Sequence, residues 1–576
     1  MGQTDSPLPG YHGRYLRIDV ESGQCEAVPL PEEVLRRYVG GVGLGTWIAT
    51  QEGGAEHDPL APEAPLVFCF SPLVGTPLTT SAKLAVVGRS PLTTLLTDAL
   101  SSSHFAIHGK RTGHDALVLV GRAPAWVRVV VDEEGVELRG ADELLGRAAA
   151  DCELDGHRTA AIGPAGERGV LYATLSNDGR HAGRGGLGAV MGAKRVKALS
   201  VRGQRRVRLH DAEGVLAAAR SLSERSLGPA TAKYRELGTI ENLLSFNRLN
   251  ALPVRNFAAG AEAHVDELSA EALHASARVG NQTCAACGIG CEHLFRGRDG
   301  APVRLEYESL YALGPLLGVE SRDEVLAAAA LCDSLGVDTI SAGGTLAYAM
   351  EAGGYGVEFG DGASVLRALE RIASGDEPSL ARGSRAAAEE RGRPELAMHV
   401  KGLELPGYDP RRLRAMALGF AVGSRGADHN RSSAYELDFS TETFSVERVI
   451  ALEDRAAAMD SLILCKFLRG VFADFEREAG ELLQLVTGAS IDLARSGAAI
   501  VELKKRFNER AGWQPALDAL PARLHDDGWP AAELADTIRA YYAARGWTDE
   551  GWVRCKTERT QRPTAPSASR NELPSS

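Results

Sequence analysis

Cysteine is scarce in this chain, with nine residues in 576. Six of them are scattered, at Cys25, Cys69, Cys152, Cys332, Cys465 and Cys555. An odd, dispersed set excludes the disulfide framework of a small secreted protein. Long apolar runs are missing as well. No stretch reaches the roughly eighteen apolar residues of a membrane-spanning helix, and Met1 to Tyr15 lacks the apolar core of a secretory leader. Positive charge is in deficit. The formal net charge of −12 argues against a nucleic-acid partner. The chain therefore reads as soluble and cytoplasmic, and it is long enough for two or three domains.

The other three cysteines sit within eight residues, Cys284-Ala285-Ala286-Cys287-Gly288-Ile289-Gly290-Cys291. Thiolates at this spacing wrap one soft metal centre, and the two glycines let the backbone fold tightly around it. A [4Fe–4S] cluster needs a fourth cysteine from the scattered set. A structural zinc site is the alternative, with His293 close by.

The chain reads as α+β. Period-two alternation marks a strand at 15–20, and strand-like runs follow at 66–70, 84–87, 116–120, 127–131 and 198–201. Between them lie three stretches rich in glycine or serine. Gly40-Gly41-Val42-Gly43-Leu44-Gly45 lacks the dinucleotide-binding spacing and follows a helical pattern, so it reads as close packing or contact with another anionic ligand. Ser90 to Thr94 and Ser101 to His104 read either as a phosphate-holding loop or as polar surface. Gly163 to Glu167 opens the third stretch, which runs on through Asn177 to Lys194. Exposed N–H groups together with Arg180, Arg184 and Lys194 suit a polyanion carrying phosphates; the alternative is a loop that only turns.

From Leu209 onward apolar residues recur at helical spacing, with helices expected at 213–222, 322–335, 363–372, 446–468 and 491–507. Glu306-Tyr307-Glu308 follows the cysteine segment, either as acid–base groups or as helix-start acids. Asp333-Ser334-Leu335-Gly336-Val337-Asp338 and Asp460-Ser461-Leu462-Ile463-Leu464-Cys465 share one pattern. A repeat of this kind points to two equivalent ligand moieties, and its second copy offers Cys465 as a fourth thiolate. His429 lies in the polar turn Ser424 to His429. Residues 557–576 read as a disordered tail.

Taken in order, these motifs resemble the aldehyde ferredoxin oxidoreductase family of tungsten or molybdenum bispyranopterin enzymes. The resemblance runs from about Tyr15 to Phe467. It includes Tyr38-Val39-Gly40-Gly41, Ser90-Pro91-Leu92-Thr93, Ala182 to Gly192, both Asp-Ser-Leu segments and the cysteines. It implies a β-rich base (1–205) for two pyranopterin dithiolenes, followed by two mainly helical domains (206–410 and 411–556). It implies tungsten or molybdenum on the dithiolene sulfurs, a magnesium ion between the pterin phosphates, and a [4Fe–4S] cluster on Cys284, Cys287, Cys291 and Cys465. Cofactor contacts are expected from Lys83, Arg180, Ala182, Gly183, Arg184, Gly185, Asp333, Gly336, Asp338, Asp460 and Leu464.

The activity implied is oxidation of an aldehyde to a carboxylic acid, with electrons leaving through the cluster to ferredoxin. Glu308 is expected as the base, and His429 as the group that orients or protonates the carbonyl oxygen. A homodimer is left open. Three departures stand out: Ile463 where the family has Gly, Ala99 to His104 where it has Asn-Ser-Gly-Gly, and Lys83 where it has Arg. Two other activities remain open, a carboxylic acid or aryl-CoA reductase subunit on the same fold and a non-catalytic iron–sulfur or zinc protein.

Overall fold

The computed structural model describes residues 8–554; Cys555 and the expected disordered tail lie outside the described residues. The N-terminal part is built on two six-stranded sheets. The first has the order β2 (Cys25–Pro29), β1 (Arg14–Asp19), β6 (Ala116–Val120), β3 (Leu66–Cys69), β4 (Lys83–Arg89) and β5 (Leu96–Ser102). The second runs β11 (Arg180–Ala182), β10 (Leu175–Asn177), β9 (Arg158–Ala161), β12 (Val196–Val201), β7 (Val127–Val131) and β8 (Val136–Gly140). Each sheet holds one parallel pair, β1 with β6 and β12 with β7.

The first sheet's inner strands β6, β3 and β4 are buried on both faces and read as near-continuous hydrophobic runs. In β3, Leu66 and Phe68 face a core shared with the second sheet. Val67 and Cys69 face the opposite core, closed by the helices Gly41–Gln51 and Leu493–Arg510. After β12 the chain is mainly helical. The fold is therefore α+β, with a β-rich N-terminal part followed by helices.

Two expectations are corrected. The stretch 99–104 is not a loop: β5 continues to Ser102, pairs antiparallel with β4, and the next helix begins at His104. Serine tolerates this burial because Ser101 Oγ donates to Asn177 Oδ1 (2.7 Å) and Ser102 Oγ to the Ala82 carbonyl (3.1 Å). The helix from Val446 ends at Leu462 rather than 468, because Ile463 adopts the left-handed conformation, φ 66°. Among the described residues no helix is long and apolar enough to cross a membrane.

Candidate active site

The two Asp-led segments share a backbone conformation as well as a sequence pattern. Helix Arg322–Leu335 ends in Gly336 (φ 74°, ψ 51°), and helix Val446–Leu462 ends in Ile463 (φ 66°, ψ 26°). Two residues on, Asp338 and Cys465 both turn extended and begin new helical segments. A glycine receives each copy. A Cβ on Gly163 would lie 2.4 Å from the Leu335 carbonyl oxygen, and one on Gly41 2.6 Å from that of Asp460. The Gly41–Gly45 stretch thus serves close packing, and Gly43 N–H donates to Ser461 Oγ (3.0 Å).

The cysteine segment is the loop of a hairpin between β13 (Arg278–Gln282) and β14 (Glu292–Arg296), extended by β15 (Pro302–Arg304). Thr80 ties this loop to Cys465. Its N–H donates to the Ala286 carbonyl (2.6 Å), and its hydroxyl accepts from Cys465 N–H (3.3 Å). Burial raises the Cys287 thiol to about 11, and the nearby Cys465 and Cys284 thiolates add to the shift. Among the described residues, no three His, Cys, Asp or Glu side chains converge on a single ion position. His293 is committed elsewhere, to His274 (2.8 Å) and the Tyr234 carbonyl (3.2 Å). The four thiols are close enough to influence one another, a donor set that fits an iron–sulfur cluster. Lys83 stands beside them. Burial works against its charge, but the thiolates of Cys465 and Cys284, with Asp460, raise its pKa overall.

A cavity of about 720 Å³ opens between the β part and the helices. It collects Lys83, Arg180, Gly183, Arg184, Cys284, Cys291, Glu308, Asp333, Asp338, His429 and Cys465 from the expected set. Ala182, Gly185, Cys287, Gly336, Asp460 and Leu464 lie behind its wall rather than on it. Gly185 is nonetheless confined to glycine: at φ 94° its Cβ would fall 2.1 Å from Thr97 Oγ1. Arg184 is largely spent on the protein, donating to the carbonyls of Ala427 (2.6 Å) and Glu404 (2.5 Å) and facing Asp338 (3.5 Å). Asp333 is met by His181 (3.2 Å) and Arg304 (3.5 Å), and Asp460 by Arg431 and Lys466 (both 3.1 Å).

Sequence reasoning did not single out Arg425, Arg431 or Lys466, which also line the cavity. Arg425 pairs with Asp428, Arg431 with Asp98, and Lys504 reaches Asp98 Oδ2 (2.8 Å). Burial opposes the charge on Asp98, but Arg431, Lys504 and Arg425 overcome it and hold the carboxyl well below its usual range. The available signal was spacing: Arg425 and Arg431 flank His429 by four and two residues. A wall this rich in guanidinium and ammonium groups suits phosphates, and the cysteines and paired Asp segments beside it complete a donor set that fits a pterin cofactor and a cluster.

Glu308 and His429 face each other across the cavity wall, with Oε1 and Nδ1 3.4 Å apart. Neither atom has a hydrogen-bond partner among the described residues. Glu308 Oε2 accepts from Gly407 N–H (3.1 Å). Burial pushes the Glu308 carboxyl up to about 8 and the His429 imidazole down to about 3. At neutral pH this is therefore a contact between two uncharged groups, not an ion pair. Asn430 Nδ2 lies 2.9 Å from His429 Nε2. An amide donating there leaves the ring proton on Nδ1, on the Glu308 side.

The family model described as the N-terminal domain of aldehyde ferredoxin oxidoreductase matches residues 15–203, and the model for domains 2 and 3 matches residues 217–560. The tungsten-containing aldehyde ferredoxin oxidoreductase of Pyrococcus furiosus is 35% identical, over 94% of this chain and 97% of its own length. That of Thermococcus kodakarensis is 34% identical over the same shares. Among solved structures, the active-site complex BamBC of benzoyl coenzyme A reductase, in complex with 1,5-dienoyl-CoA, superposes with a TM-score of 0.81 at 20% identity, covering 95% of this chain and 96% of that one, which is a likeness of fold. The chain belongs to the aldehyde ferredoxin oxidoreductase family and is an oxidoreductase.

Proposed function

We propose that this protein oxidises an aldehyde to a carboxylic acid and passes the electrons to a ferredoxin. The observation that carries this reading is the Glu308–His429 pair, whose facing atoms are buried and unsatisfied and whose side chains line the cavity. In this reading a tungsten or molybdenum bispyranopterin occupies the cavity and supplies the two-electron redox step. Asp333 and Asp338 on one side, and the Asp460 segment on the other, hold the pterins. Arg180, Arg425 and Arg431 would supply positive charge to the phosphates. Cys284, Cys287, Cys291 and Cys465 would hold the [4Fe–4S] cluster, with Lys83, near Cys465, Cys284 and Asp460, placed to bind beside it.

Oxidation of an aldehyde to the acid takes its second oxygen from water, breaks the aldehyde C–H bond and releases two protons and two electrons, the electrons leaving to the ferredoxin. Nδ1–H of neutral His429 is placed to donate to the carbonyl oxygen, which polarises the carbon. Glu308 Oε1, on the same side, takes a proton as the new C–O bond forms. A carboxyl whose pKa lies near 8 both accepts and releases that proton near neutrality.

Metal analysis of the purified protein, together with aldehyde oxidation using a viologen acceptor, tests the reading. The expected result is tungsten or molybdenum with about four irons per chain and aldehyde-dependent viologen reduction. Zinc alone, or iron alone without turnover, sinks it.

A further inference from the structure

Large apolar side chains rarely stay exposed without a reason when they cluster at a cavity mouth. Two of the six large exposed hydrophobics among the described residues, Leu249 (52%) and Phe439 (48%), line this one cavity. An unbroken ring-to-ring wall leads inward from them. Phe439 packs edge-on to Phe246 (5.4 Å between centroids), Phe246 edge-on to Tyr408 (4.8 Å), and Tyr408 stacks on His429 (4.7 Å, 19°). Tyr307 stacks on the far side of Phe246 (5.1 Å) and Tyr435 leans on Tyr408 (5.3 Å).

The cations at this mouth already face acids, Lys233 with Glu241 (3.7 Å) and Arg469 with Glu436 (3.4 Å). The wall offers ring faces and edges to a neutral, planar, apolar group, the arrangement in which aromatic rings bind one another best.

We propose that the substrate class of this site is neutral aryl aldehydes, with Phe246 and Phe439 as the residues that select for the aryl group. The proposal rests on the aldehyde-oxidation reading. With its carbonyl at Glu308 and His429, an extended aryl aldehyde lays its rings along Tyr408 and Phe246 toward Phe439. A two-carbon aldehyde held at the same pair reaches Tyr408 at most and gains nothing from the outer wall.

The test compares kcat/KM for 2-naphthaldehyde and acetaldehyde in the holoenzyme, alongside binding of 2-naphthamide followed by its fluorescence. The amide is a neutral probe of the same shape that is not oxidised. We expect the naphthaldehyde-to-acetaldehyde ratio to exceed ten. We expect Phe439→Ser and Phe246→Leu each to lower it about ten-fold and to weaken naphthamide binding. Phe439 is half exposed, so its replacement leaves the core intact. A ratio near one, or naphthamide affinity unchanged in both variants, overturns the proposal. If neither aldehyde turns over while naphthamide binds and Phe439→Ser weakens it, the aryl wall stands and the aldehyde reading falls. Absence of both turnover and naphthamide binding overturns both.

Discussion

Glu308 is the second residue of helix Tyr307–Leu313, and its carboxylate ends in the cavity rather than at the helix N-terminus. Burial raises its pKa to about 8, which fixes the sign of a pH dependence. A general base works when deprotonated, so kcat/KM for an aldehyde should climb through a limb centred near pH 8 and level off above it. Glu308→Gln keeps the size and hydrogen-bonding reach of the side chain but removes the basicity. General-base catalysis contributes about 10²–10⁴-fold, so turnover should fall by about that much and the alkaline limb should vanish. Tungsten or molybdenum, pterin and iron content should stay near full. A variant with near-normal turnover, or one that is inactive only because it lost its metal, removes Glu308 from this role. His429 belongs to the same pair, and its depressed pKa keeps it a neutral donor across the range of the assay.

In the proposed reading the repeated Asp-led segment holds the pterins, and each copy is seated on a glycine. Gly163 has an ordinary φ of −82°, so its need for glycine is purely steric. A methyl group there meets the Leu335 carbonyl at 2.4 Å and the Gly336 nitrogen at 2.9 Å. Gly163→Ala should push the first segment off its seat, at a cost of about 1–3 kcal/mol, and lower pterin content; unchanged pterin content and an unchanged denaturation midpoint sink that prediction.

Ile463 poses the opposite question, because a β-branched residue at φ 66° is strained by about 1–3 kcal/mol. Its side chain is fully buried against Gly41, and deleting such a side chain costs about 2–5 kcal/mol. The packing term is the larger of the two. Ile463→Gly should therefore destabilise the protein despite relieving the backbone, which a lowered urea midpoint would show and a raised one would refute.

At the scale of the whole molecule, the cavity lies where the first sheet, the cysteine hairpin and the helix ends meet. Its wall carries cations and acids buried far from water. A cofactor and cluster that bind only the folded chain stabilise it by mass action. Removing them should lower the thermal midpoint and make the cysteine hairpin, residues 278–304, the first segment cut by protease. Equal midpoints for the loaded and stripped forms would show that the cavity holds its shape without them.

Much of this architecture was legible in the linear chain because its signals are local. Period-two alternation marked β1, continuous apolar runs marked β3, β6 and β7, and helix Arg322–Leu335 emerged with the same ends in the structure. The Cys-x2-Cys-x3-Cys loop and the Asp-Ser-Leu repeat are likewise local patterns, and they carried the family resemblance. Burial of Ser101 and Ser102 was not legible, since a serine run reads as loop until Asn177, distant in sequence, supplies its hydrogen bond. The early end of the helix at Ile463 was hidden for a related reason: only packing against Gly41 holds isoleucine in that conformation. Arg425 and Arg431 look like surface charge in the sequence and become cavity wall only once Asp428 pairs with the first and Asp98 and Asp460 with the second. The sequence by itself determined the elements, the cysteine loop and the paired segments, because period, spacing and turn chemistry act over a few residues. Tertiary structure alone decided which charges are buried together, which glycine seats which segment, and where Glu308 meets His429, because burial and electrostatic pairing depend on groups brought together from distant parts of the chain.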